Sequence, residues 1–228
     1  MAVPKIESGK LFALCGRSRS GKTQKALDLI KKHKCVLVWD VEEQYQVTHR
    51  ARSQKQLLTY IEQCAGKKAV IGFTANLSDF NYFCKVAFWY VRKCGELGKK
   101  SAVVFEETAD VTSPGKAPEY YGILLRRGLK YGCDLFAITQ RPAESDKTAV
   151  GNASMIHICT MNLPRDRRYM AEMTGVPLQA IAAMKADQER GSFDYISVDT
   201  NRGDYVDGVL TFPKGKPKFK DLGSRIAL

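Results

Sequence analysis

Leu11-Phe12-Ala13-Leu14-Cys15 is a run of five apolar residues, and Gly16-Arg17-Ser18-Arg19-Ser20-Gly21-Lys22-Thr23 follows it directly. The first part has the length and composition of a strand covered on both faces. The second fits the pattern of a phosphate-binding loop, and from Lys22 to Lys32 the residues carry a helical spacing. Strand, glycine loop and helix in that order are the context the pattern needs. Its chemistry follows from the residue types. Glycines let backbone N–H groups turn inward onto phosphate oxygens, Lys22 neutralises the β and γ phosphates, the Thr23 hydroxyl suits Mg²⁺, and the helix N-terminus favours an anion. Gly16, Arg17, Ser18, Arg19, Ser20, Gly21, Lys22, Thr23 and Gln24 are therefore the candidate contacts for ATP and its Mg²⁺.

On either side of this segment, short apolar runs alternate with longer amphipathic ones, each run bounded by Gly, Pro, Asp or Asn, which is the pattern of an α/β protein. Strands are predicted over Leu11 to Cys15, Val36 to Asp40, Ala69 to Phe73, Ala102 to Glu106, Leu135 to Thr139 and Met155 to Met161. Helices are predicted over Lys22 to Lys32, Ser53 to Cys64, Ser78 to Leu97, Pro118 to Tyr131 and Arg165 to Thr174, the last stopped by Gly175 and Pro177. Lys85, Arg92 and Lys93 interrupt the long helix, so its stripe of Phe83, Ala87, Tyr90 and Val91 reads as core contact and not as a membrane span. Beyond Gly191, alternation in Phe193 to Val198 and Tyr205 to Phe212 around Asn-Arg-Gly-Asp suggests an added hairpin. Residues 1–190 are read as the core and 191–228 as a hairpin and basic tail of the same domain. Pro213 to Lys220 carries four lysines among Pro and Gly and is expected to be mobile.

The chain has 228 residues, 44% hydrophobic and 26% charged, which excludes disordered and collagen-like classes. Its formal net charge of +12 points to a polyanionic partner, phosphate backbone or anionic lipid. The opening Met1 to Lys10 has no signal-peptide core and no run is long enough to span a bilayer, so the expectation is a soluble chain made inside the cell. The seven cysteines are odd in number, lie mostly in apolar runs and never form Cys-x-x-Cys, so they read as reduced core residues. His33, His49 and His157 show no metal spacing.

Ser101-Ala-Val-Val-Phe105-Glu106-Glu107 is an apolar strand ending in paired carboxylates. Adjacent residues on an extended chain point opposite ways. Glu106 is accordingly the candidate for supporting the metal, partly through water, and Glu107 for activating the attacking water. Arg126-Arg127-Gly128-Leu-Lys130-Tyr-Gly132-Cys-Asp134 then leads through an apolar strand into Thr139-Gln140-Arg141-Pro142. Arg19 stands where many metabolite kinases have a further glycine, which disfavours a small-molecule kinase.

With the loop, the acid-acid strand end and a strand closing in Thr-Gln-Arg-Pro, the sequence resembles the FtsK-HerA superfamily of ring-forming, DNA-pumping ATPases over roughly Leu11 to Thr174. The resemblance implies a three-layer P-loop NTPase fold of RecA-like (ASCE) type, with a mostly parallel central sheet and here a C-terminal β-hairpin extension. It also implies that Gln140 senses the γ-phosphate, since an amide can donate to a phosphate oxygen and accept from water. The usual Asp-Glu pair is Glu106-Glu107 here, which moves the first carboxylate out by one methylene. Only ten residues precede the first strand, and such a minimal motor is similar to the genome-packaging ATPases of tailless icosahedral double-stranded DNA phages with an internal membrane, of tectivirus or corticovirus type.

Ring ATPases complete each site with an arginine from the next subunit. Arg126 and Arg127 are the first candidates, with Arg141, Arg165, Arg167 and Arg168 behind them. Asp40 is read as capping the turn that follows its strand, with orientation of water as the second option. The resemblance implies backbone contacts to double-stranded DNA, a homo-oligomeric ring of six or five copies, capsid vertex proteins and a viral membrane protein as partners, and a path from host cytoplasm to the virion packaging vertex. Lys214 to Lys220 is read as serving DNA, capsid, lipid or solubility alone. The competing functions are another P-loop motor for phage assembly or conjugation, a small-molecule kinase, and a nucleotide-binding assembly protein without hydrolysis.

Overall fold

The structure is a computed structural model, and it describes residues 6–115 and 117–228. In chain order the elements are β1 (Leu11–Cys15), α1 (Lys22–Ile30), β2 (Cys35–Trp39), β3 (His49–Ala51), α2 (Gln54–Cys64), β4 (Ala69–Phe73), α3 (Phe80–Glu96) and β5 (Ser101–Phe105). There follow α4 (Thr108–Val111), α5 (Glu119–Arg127), β6 (Cys133–Thr139), α6 (Lys147–Gly151), β7 (Met155–Cys159), α7 (Pro164–Thr174) and α8 (Leu178–Ala183). The chain closes with β8 (Ala186–Asp187), β9 (Ser192–Asp199), β10 (Asp204–Thr211) and β11 (Lys218–Ala227).

One sheet runs in the order β11-β10-β9-β7-β1-β6-β5-β2-β4-β3, with β8 pairing off β9. From β7 to β3 every pair is parallel, and from β7 outward to β11 every pair is antiparallel. The consequence for function is topological. β6 lies between β1 and β5, so the residue that follows β6 is placed between the glycine loop after β1 and the carboxylates after β5.

The central strands β1, β2, β5 and β6 are buried throughout, as their unbroken apolar sequences require. The larger core lies on the face covered by α2, α3 and α5 and joins Trp39, Phe73, Phe80, Phe83, Phe105 and Tyr121 edge to face. In α3 the expected stripe is fully buried there: Phe83, Ala87, Tyr90 and Val91 each have no exposed surface. A smaller core on the other face gathers Phe12, Leu14, Val36 and Phe136 under Ala26 and Ile30 of α1. The seven cysteines are all buried and free. Among the described residues no helix is long and apolar enough to cross a membrane.

At the C-terminal end the expected hairpin is present and one expectation is corrected. The hairpin β9–β10 continues the main sheet through β7, and Lys218–Ala227 adds a further strand on β10 where a mobile tail was expected. The reason is that β10 offers an open edge, while Phe219 packs against Tyr195 and the imidazole of His157 with the Lys25 ammonium 4.5 Å from its ring centre. Only Pro213–Gly215 keeps the character of a turn.

Candidate nucleotide site

The glycine loop is held at both flanks by its neighbours. The Gly16 N–H donates to Thr139 O at 3.1 Å and the Arg17 N–H to Thr160 O at 2.8 Å, which ties the loop to the chain leaving β6 and β7. Gly16 has φ 155° and its backbone passes so close to β7 that a Cβ there would lie 2.6 Å from Cys159 Cβ. Within the loop, Ser20 Oγ and Lys22 Nζ both donate to Arg17 O, at 2.7 and 2.9 Å, so the lysine arches back across the loop. Gly21, at φ 100°, precedes α1 and offers no side chain to its first turn, which leaves those N–H groups for an anion. Arg19 adopts φ 56°, a left-handed conformation that glycine takes without cost. Ser18 and Arg19 are exposed, and Arg17 and Gln24 half-buried.

The two carboxylates diverge, as expected, though by a different device. β5 ends at Phe105, and Glu107 takes a left-handed turn at φ 47° before α4. Glu106 therefore faces α1, where the Tyr45 hydroxyl donates to its Oε1 at 2.6 Å and the Thr23 hydroxyl approaches the same oxygen at 3.4 Å. Glu107 turns to the other side and accepts the Gln140 backbone N–H at 2.7 Å. Burial pushes the Glu106 carboxyl up to about 7, against the pull of the Tyr45 hydroxyl and Lys22. Burial also raises Glu107, with the Gln140 N–H opposing.

Gln140 meets Glu107 through its backbone N–H, and its amide side chain also reaches toward that carboxylate. That side chain lines a hollow of about 260 Å³ with Arg17, Ser18, Arg141 and Asp166, while Glu106 and Glu107 line a narrower cleft on the β2 side with Asp40, Gln44 and Asp110.

Several participants have no signal in the sequence. Asp40, fully buried, accepts the Gln44 and Tyr45 N–H groups at 2.8 and 3.2 Å and pairs with Arg50 at 2.6 Å. It thus caps the turn after β2, the first of its two expected roles, and the turn brings Tyr45 onto Glu106. No residue spacing in the irregular 41–48 stretch announces either Tyr45 or Arg50.

Of the candidate arginines, Arg141 borders the Gln140 hollow, and Arg126 and Arg127 lie away from the cluster. Arg126 and Arg127 are exposed on the last turn of α5, which leads to the start of β6, about 20 Å along that strand from Gln140. Arg141 and Arg165 both pair with Glu144, and Arg167 donates to Met161 O and Asn162 O, both at 2.9 Å.

No family model matches the chain. Protein P9 of Pseudoalteromonas phage PM2 is 33% identical over 160 residues, covering 69% of this chain and 71% of that protein. Among solved structures, the genome packaging NTPase B204 from Sulfolobus turreted icosahedral virus 2 in complex with ATP-gammaS superposes with a TM-score of 0.68 at 15% identity, over 87% of this chain and 96% of that one. B204, the DNA-packaging ATPase from Sulfolobus turreted icosahedral virus, does so with a TM-score of 0.62 at 14% identity, over 89% and 98%. At such identities the likeness to B204 is one of fold.

Proposed function

This chain belongs to the family of protein P9 of Pseudoalteromonas phage PM2, and on that premise we propose that it is a P-loop ATPase of FtsK-HerA type that packages a viral genome, coupling ATP hydrolysis to passage of double-stranded DNA into a preformed capsid. The observation that carries this reading is the convergence of Lys22, Thr23, Glu106, Glu107 and Gln140 at one end of the sheet, with Gln140 bonded to Glu107 between the loop strand and the acid strand. The likeness to B204, a packaging NTPase, supports it.

In this reading Gly16 to Gln24 wrap the triphosphate, with Lys22 leaving Arg17 O for the β and γ phosphates. Glu107 accepts a proton from the attacking water, and the Gln140 amide touches both that water and the γ-phosphate. Loss of the γ-phosphate is then felt directly by the end of β6, which couples hydrolysis to movement. Around Thr23 the donor set is all oxygen: its own hydroxyl, the Glu106 carboxylate and Gln44 Oε1, 3.3 Å from that hydroxyl. Such a set suits Mg²⁺, and the buried Glu106 carboxylate is one that a cation relieves. When bound, the ion neutralises charge on the phosphates. Arg126 or Arg127, both exposed, serves the neighbouring subunit's site in a homo-oligomeric ring. The ring acts in the host cytoplasm and at the virion packaging vertex, against capsid vertex proteins and a viral membrane protein.

The test is release of inorganic phosphate from ATP with and without long duplex DNA, for the parent, Lys22→Ala, Glu107→Gln and Gln140→Ala. The expected result is turnover stimulated by DNA in the parent and lost in all three. Turnover indifferent to the three changes overturns the site; phosphate passing to a metabolite in place of water overturns the function.

A further inference from the structure

The end of the sheet opposite the nucleotide site carries a row of lysines. Helix-to-strand turns all lie at that end of a parallel sheet, and here the strand starts are also in register. Leu11 pairs with Leu135, Cys133 with Ser101, Ser101 with Cys35, and Cys35 with Ala69. The residue immediately before the strand is Lys10 for β1, Lys100 for β5, Lys34 for β2 and Lys68 for β4, and Lys67, Lys99 and Lys130 stand in the same turns. All seven are exposed. Among the described residues Lys100 pairs with Glu7 at 2.5 Å, and the other six make no ion pair.

Helix dipoles do not account for this. A helix C-terminus favours roughly one cation in its last turn, whereas these lysines fall beyond the α-helix ends, and the turns before β4 and β5 carry two each. Lys32, Lys34 and Lys99 also border a hollow of about 270 Å³ between the turns before β2 and β5, wide enough for a phosphate group. Five adjacent strands β1, β6, β5, β2 and β4 at about 4.8 Å spacing make the row roughly 19 Å long. A duplex of that length carries on the order of eleven phosphates, one charge per about 1.7 Å.

We propose that this lysine row at the amino-terminal edge of the sheet is the surface that holds the phosphate backbone of double-stranded DNA; the inference rests on the packaging reading for the identity of the polyanion. The observations favour a duplex over a membrane. Membrane docking adds apolar side chains that enter the lipid, and among the described residues the one large exposed apolar residue beside the row, Leu97, lies back against Gly66. Lysines give point contacts that read no base, as a motor indifferent to sequence needs. Contacts at this edge also leave the opposite end of every strand free for ATP.

The test is binding of a fluorescent duplex measured across a salt series, with DNA-free ATP turnover measured beside it. The triple variant Lys34→Gln/Lys68→Gln/Lys99→Gln is compared with Lys214→Gln/Lys216→Gln/Lys218→Gln, which removes equal charge from the exposed C-terminal segment. The expected result is a slope of log affinity against log salt shallower by about 3 for the first variant, with affinity lower on the order of a hundredfold near 0.1 M salt. The second variant and both DNA-free turnovers stay within about twofold of the parent. A first variant that binds duplex with the parent's slope overturns the proposal and leaves the ATPase reading standing. So does a parent that ignores duplex and binds phosphatidylglycerol–phosphatidylcholine vesicles. A parent without turnover whose duplex binding still falls with the first variant supports the surface and overturns the ATPase reading.

Discussion

Replacing Asp40 by alanine removes a fully buried carboxylate from its three partners, the Gln44 and Tyr45 N–H groups and Arg50, and leaves the Arg50 guanidinium, which is only 17% exposed, without its counter-charge. Arg50 keeps two weaker acceptors, Thr74 Oγ1 at 3.0 Å and Tyr45 O at 2.9 Å. Breaking a buried pair from one side costs about 3–5 kcal/mol, most of it the stranded charge. For a chain of this length that lowers Tm by on the order of 10 °C. The double variant Asp40→Ala/Arg50→Met removes both charges and is expected to recover at least half of the loss, because an apolar side chain needs no partner. Turnover separates from stability in the same pair of proteins. Both variants lose the acceptor for the Gln44 and Tyr45 N–H groups, so the turn no longer presents the Tyr45 hydroxyl to Glu106, and ATP hydrolysis falls in both. Urea unfolding and phosphate release at a temperature well below both transitions read the two effects. The reasoning is refuted if the double variant is as unstable as the single one, or if the single change costs under about 1 kcal/mol.

Glu107→Gln keeps an acceptor for the Gln140 N–H, so nucleotide affinity by calorimetry is expected to stay within about threefold while turnover falls roughly 10²- to 10⁴-fold. Arg19→Gly relieves a left-handed non-glycine residue and is expected to leave thermal stability unchanged or raise it by up to about 1 kcal/mol, where an ordinary loop arginine changed to glycine loses stability. Burial and then Lys25 hold the His157 imidazole well below its ordinary range, so it stays neutral in the fold while the unfolded chain takes up the proton. Its share of stability is therefore complete above about pH 7.5 and is lost as pH falls through 6.5, by up to about 1.4 kcal/mol per pH unit; the difference in urea stability between pH 7.5 and 5.5 should shrink in His157→Gln.

The parallel half of the fold was legible because each strand there is buried on both faces and must be apolar throughout. All six predicted strands are present within a residue or two, as are four of the five helices, with Gly175 at φ 75° ending α7, whereas the helix predicted over Pro118 to Tyr131 stops as an α-helix at Arg127 and gives way to a 3-10 turn over Leu129–Tyr131. What escaped were elements without a period to read. α4, α6 and β3 run for three to five residues, too short to show one. β11 mixes Lys, Asp, Gly, Ser and Arg because most of it faces water, so its composition resembles a loop and only the open edge of β10 makes it a strand.

The site divides in the same way, and the division has a physical origin. Lys22, Thr23, Glu106, Glu107 and Gln140 lie at the ends of three apolar strands, so reading those strands located all of them. Tyr45, Gln44 and Arg50 are placed by a turn fixed by hydrogen bonds to one carboxylate, and hydrogen bonds within an irregular turn leave no period. The lysine row belongs to the first kind. In a parallel sheet the residue before each strand is carried to one edge whatever the helices between them do, so lysines at 10, 34, 68 and 100, separated by dozens of residues, become neighbours about 5 Å apart from strand to strand where their strands adjoin. A charge excess that composition gives only as a total is thereby focused at the opposite end from the buried carboxylates. The nucleotide end of the same strands mixes Glu106 and Glu107 with Lys22 and Arg17, whereas the opposite edge gathers the lysine row. On the proposed reading, a shift of β6 on loss of the γ-phosphate would run along its seven residues to the turn bearing Lys130.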